Sequence, residues 1–100
     1  LLLTGAHISA EEARLIGLVN RVVPAAELMT EAKKLARELA GKAPVAVRAI
    51  IAAVNEGLEM PFSQAVVHES VLFGLVTSTD DMREGTNAFL EKRKPVFKGS

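Results

Sequence analysis

Apolar positions recur at helical spacing along most of this chain. From Ala25 to Ala40, Leu28, Ala32, Leu35, Ala36 and Leu39 fall on one stripe, while Glu27, Glu31, Lys33, Lys34, Arg37 and Glu38 take the remaining surface. Gly41 stops this helix. The next starts at Pro44 and runs through Val47, Ile50, Ile51 and Val54 to the neighbourhood of Gly57. It is apolar over much of its circumference, so it is expected to be buried on several sides or at a subunit contact. Pro61 begins a further helix, with Phe62, Ala65, Val66, Glu69, Phe73 and Val76 on one broad face and Gly74 as its weak point. Thr77, Ser78 and Thr79 form the joint to the last helix.

The first residues read differently. Leu1-Leu2-Leu3-Thr4-Gly5 resembles the last turn of a helix with Gly5 as a left-handed stop. With no polar lead-in, the chain reads as a fragment of a longer protein. Ser9 and Glu12 have capping-box spacing, which opens a short helix that ends at Gly17. Leu18 to Val23 is β-branched and apolar apart from Asn20 and Arg21, and suits a short strand closed by Pro24. The expected fold is therefore mainly α with one or two short strands.

The last helix is expected from Ser78 or Thr79, as N-cap, to the break at Pro95. Asp80, Asp81 and Glu84 complement its positive end, and Lys92, Arg93 and Lys94 its negative end. Met82, Gly85, Thr86 and Phe89 share one side. A glycine inside a helix costs about 1 kcal/mol relative to alanine, so Gly85 on that side predicts close approach of another backbone. Lys92, one turn beyond Phe89, leans the same way. Two readings stay open: a core phenylalanine with a solvated lysine, or a ring and cation that hold a flat ligand and its phosphate.

Composition narrows the chemistry. The 100 residues carry 12 Lys and Arg against 12 Asp and Glu, so no charge excess favours nucleic acid or a membrane surface. There is no cysteine, hence no disulfide framework and no thiolate metal site. His7 and His68 lack partners at ligand spacing, so no metal site and a structural or exposed role for both are expected. Glu69 stands alone on an apolar face, as a core ion pair or cap, or as a catalytic acid. No serine sits in a nucleophile elbow.

Two stretches carry a family resemblance. Asp81-Met82-Arg83-Glu84-Gly85-Thr86-Asn87-Ala88-Phe89-Leu90-Glu91-Lys92-Arg93-Lys94-Pro95-Val96-Phe97 resembles the C-terminal signature of the crotonase (enoyl-CoA hydratase/isomerase) superfamily. Leu1 to Gly5, Ile8 to Ala13 and Gly17 to Pro24 match in the family's order and spacing. The resemblance implies the C-terminal helical region of a crotonase-like α/β fold. Residues 1–24 would end the core-domain segment, and residues 25–100 would form a C-terminal helical oligomerisation region.

It also implies water addition to 2-enoyl-CoA thioesters. The paired glutamates and oxyanion hole of the family lie N-terminal to the segment resembling Leu1 to Gly5, so no catalytic residue carries over and the chain alone is expected to be inactive. Phe89, Lys92 and Phe73 match positions near coenzyme A, which is part of the substrate; no separate cofactor is implied. The family's homo-oligomer, a trimer or dimer of trimers, and a cytoplasmic or, in a eukaryote, mitochondrial matrix location follow as expectations. The rival reading is a self-standing helical oligomerisation module without catalysis. Another superfamily reaction, such as isomerisation, stays open within the enzyme reading.

Overall fold

A computed structural model describes residues 1–100 as five α-helices and no strand. The helices are α1 (Ala10–Leu15), α2 (Leu28–Ala40), α3 (Pro44–Gly57), α4 (Phe62–Thr77) and α5 (Asp80–Leu90). The chain divides into two compact units, Leu1–Lys34 and Leu35–Ser100.

In the first unit, local chemistry sets almost every boundary. Gly5 has φ +62° and donates its N–H to the carbonyl of Leu1 at 2.8 Å, the left-handed stop expected there. Ser9 and Glu12 form the reciprocal capping box. Glu12 accepts from both the backbone and hydroxyl of Ser9, and these bonds lower its pKa. At the other end of α1, Gly17 turns left-handed at φ +76°. The N–H of Leu18 then reaches the carbonyl of Ala13 at 2.8 Å, and that of Gly17 reaches Arg14 at 3.1 Å. This is the Schellman arrangement.

Leu18 to Val23 is irregular, which corrects the expected strand. A strand needs a neighbour's N–H and C=O groups, and no other segment of the chain offers a partner ladder. Arg21 is held instead by its side chain, 3.1 Å from Glu31. A single 3₁₀ turn, Ala25–Glu27, precedes α2, so the helix expected from Ala25 starts three residues later at Leu28.

The second unit is built on α3 packed against α4, with α4 in turn against α5. A Cβ at Gly57 would meet Cβ of Ala65 at 3.5 Å, so the two helices approach closely where the chain turns between them. Nε2 of His68 on α4 lies 3.0 Å from Oε2 of Glu56 on α3. α4 runs unbroken through Gly74.

Little apolar surface is covered. Ala13 and Ala88 are the buried hydrophobic residues. Ile50, Ile51 and Val54 of α3 are exposed, the first at 64%, so burial of α3 on several sides is not found within the chain. Three short helices of one unit leave most of each circumference open. The apolar faces of α3 and α4 instead wall a groove of about 540 Å³. No helix is long and apolar enough to cross a membrane.

Candidate functional site

The candidate site forms where α5 ends and the chain reverses. Thr79 caps the start of α5, its hydroxyl accepting from the N–H of Met82 at 3.1 Å. The helix stops at Leu90, four residues before the end expected from Pro95. Lys92 takes φ +54°, the only residue other than glycine in the left-handed region. Its N–H reaches the carbonyl of Phe89 at 3.3 Å, and the N–H of Arg93 reaches that of Ala88 at 3.0 Å. These are the two bonds of a Schellman motif, with lysine where glycine is usual. Lys92 therefore follows the helix rather than riding on it, and helical periodicity does not set its direction.

Beyond this turn the tail lies back along α5. Nη1 and Nη2 of Arg93 donate to Oε1 and Oε2 of Glu84 at 2.6 and 2.9 Å, a two-pronged charge-assisted contact. Nε of Arg93 donates to Glu91 at 2.6 Å. Glu84 accepts a third bond from the N–H of Val96 at 2.8 Å. Its carboxyl is held down at about 2, first by Arg93 and then by Val96, while its two carboxylate partners raise the pKa of Arg93.

One turn earlier, Asp81 is buried, 3% exposed. Its oxygens accept from the N–H groups of Lys98 at 2.7 Å and Gly99 at 2.8 Å, and its own N–H donates to the carbonyl of Ser100 at 3.1 Å. Between these anchors the ring of Phe97 covers Gly85. A Cβ there would lie 3.4 Å from Cε1 of Phe97. The approach expected at Gly85 is thus made by a side chain, not by a backbone.

Phe89 is 83% exposed. It borders a hollow of about 410 Å³ with Thr79, Met82, Gly85, Thr86 and Phe97, so the side that the helical spacing selected is one open wall. Lys92 is exposed on the turn just after it and has no ion-pair partner. Phe73, 70% exposed, stands on the other groove, between α3 and α4, whose wall shares Ala46 and Val76 with this hollow. Phe89 and Lys92 are joined through the backbone bond of the turn, Lys92 does not line the hollow, and Phe73 stands on the other groove.

Glu69 is exposed on the wall of the α3–α4 groove and forms no ion pair, which corrects the expected core ion pair or cap. His7 is exposed and His68 is half-buried against Glu56. No three His, Asp or Glu side chains converge as a metal ligand set would. Sequence reasoning missed Asp81, Glu84 and Arg93 as tail anchors. Their position at helix ends has a complete dipole explanation, and only the run of residues 93–100 after the helix hinted at another.

Comparison with known proteins covers the same residues. The family model for enoyl-CoA hydratase/isomerase matches residues 1–100. A crotonyl-CoA hydratase of Syntrophomonas wolfei is 47% identical over 97 residues, which is 97% of this chain and 37% of that protein. A crystal structure of an enoyl-CoA hydratase from Bacillus anthracis superposes with TM-score 0.96 at 38% identity, covering 100% of this chain and 39% of that one. One from Geobacillus kaustophilus gives 0.92 at 45% identity, covering 98% and 37%. The chain therefore spans well under half the length of the relatives it matches.

Proposed function

The chain belongs to the enoyl-CoA hydratase/isomerase family, and from that premise we propose that it is the C-terminal part of an enzyme adding water to 2-enoyl-CoA thioesters. In this reading, Phe89 and Lys92 contact coenzyme A, and the open apolar faces of α3 and α4 pack against other parts of the assembly, including a second subunit. Phe73 lies on the α3–α4 groove and is a further candidate contact there. The groups that activate water and polarise the thioester carbonyl belong to the part of the enzyme preceding this segment, and the chain alone is inactive.

The observation that carries the ligand contact is the backbone of Lys92. A side-chain-bearing residue in the left-handed region costs about 1–2 kcal/mol, and glycine would relieve that cost at a helix C-terminus. Strain held at an exposed lysine in the turn that follows an exposed aromatic ring supports a functional reading of the position. The ring offers an apolar face and the ammonium a charge for phosphate. Subunit packing is supported by the exposure of Ile50, Ile51, Val54 and Phe62.

The test is hydration of crotonyl-CoA, followed by the loss of conjugated enoyl absorbance. The full-length protein is expected to turn the substrate over, and the 100-residue chain alone is not. Turnover by the isolated chain, or none by the full-length protein, contradicts the proposal.

A further inference from the structure

Building on the coenzyme A reading of Lys92, we propose that Glu84 and Arg93 are positioning residues for that contact: their two-pronged pair locks the left-handed turn that presents Lys92 to the ligand. Lys92 lies between two residues whose side chains are tied down. Glu91 and Arg93 bind each other at 2.6 Å, and Arg93 continues to Glu84 at 2.6 and 2.9 Å. Val96, four residues on, is bonded to the same Glu84 carboxylate at 2.8 Å. One carboxylate on the rigid helix thus fixes the chain on the far side of the turn at two points.

This matters because the turn is not self-sustaining. A lysine at φ +54° gains by relaxing to the right-handed region unless its surroundings hold it. The Schellman bonds of Lys92 and Arg93 act on the backbone, but helix ends fray readily. The Glu84 fork is the tie nearest the turn between the returning chain and the body of α5; the bonds of Asp81 hold it only from Lys98 onward. It also takes the Arg93 cation out of competition for a ligand beside Lys92. Arg93 has its Nε and both Nη groups committed to carboxylates, whereas Lys92 has none.

The experiment is a double-mutant cycle in the full-length protein, read as KM and kcat for crotonyl-CoA. Lys92→Ala is expected to raise KM by up to about fivefold, the ceiling for an exposed ion pair, with kcat little changed. Glu84→Gln keeps the shape and an acceptor for Val96 but loses the charge, and is expected to raise KM in the same direction. In the Lys92→Ala background it should add nothing, because it acts only through Lys92. Arg93→Lys keeps a cation but loses the fork and should repeat the result, which covers failure of the glutamine variant to fold. Additive effects, or a Glu84→Gln enzyme of unchanged KM, overturn the positioning role and leave the coenzyme A reading standing. An unchanged KM in Lys92→Ala overturns that reading, and the positioning role with it.

Discussion

Glu84 and Arg93, nine residues apart, face each other with two parallel contacts of 2.6 and 2.9 Å. Helical spacing alone does not bring them together, because Arg93 lies beyond the end of α5. The pair exists because the chain turns at Lys92 and runs back along the helix.

This pair gives the fold an acid-sensitive latch. The ordinary value of a glutamate is 4.5, and Glu84 is held at about 2. A group whose folded value is depressed stabilises the fold fully above its unfolded value, and that stabilisation is lost as pH falls through the folded one. The latch is therefore complete above pH 4.5 and gone below about pH 2. Denaturation midpoints of the full-length protein and its Glu84→Gln variant should differ at neutral pH and converge across that window. A gap independent of pH contradicts the assignment.

Asp81 secures the end of the tail. Asp81→Ala removes the acceptor of two backbone N–H groups. A hydrogen bond to a charged group contributes about 1.5–3 kcal/mol, and the freed amides can turn to water, so a loss of about 2 kcal/mol is expected. The amides of Lys98 and Gly99 should also exchange with deuterium faster. Unchanged protection would show that the tail is held by something else.

At Gly85 the expected direction is reversed. A Cβ there would meet the ring of Phe97 at 3.4 Å, close to ordinary contact. Gly85→Ala should therefore be tolerated and stabilise by up to about 1 kcal/mol, from helix propensity. Gly85→Leu should displace Phe97 and destabilise. Thermal melts of both variants in the full-length protein check this, and a destabilising alanine would mean that the ring cannot shift.

The isolated chain should not form a stable, cooperative monomer. Its buried apolar residues are two alanines, while Phe62, Ile50, Val71 and Phe73 are exposed, more than a lone soluble chain carries comfortably. Sedimentation is expected to show association or a poorly folded species. A well-behaved monomer with a sharp unfolding transition would be the contrary result.

The helices were legible because their signals are local. The Ser9–Glu12 box, the prolines at the starts of α3 and α4, and the glycines at 5 and 17 each act within a turn of their own position. The segment from Leu18 to Val23 misled because β propensity says nothing about whether a partner strand exists. The end of α5 misled because Pro95 forbids continuation but does not require the helix to reach it, and no local rule announces a lysine at φ +54°. The tail anchors were hidden for a related reason: a contact between Asp81 and residues 98–99 depends on where the chain goes after it turns. Spacing set Met82, Gly85, Thr86 and Phe89 on one wall, as found, but the direction it gave Lys92 does not hold past the end of the helix.

The most direct test of the coenzyme A contact compares Lys92→Ala with the unaltered full-length enzyme on two substrates, crotonyl-CoA and the pantetheine thioester lacking the nucleotide. An exposed lysine bound to a phosphate remote from the reacting bond stabilises substrate and transition state alike, so KM should rise and kcat should hold. The rise should stay within about fivefold, shrink with added salt, and vanish for the pantetheine thioester. An equal loss on both substrates would mean that Lys92 supports the fold or the assembly, and would contradict its role as a ligand contact.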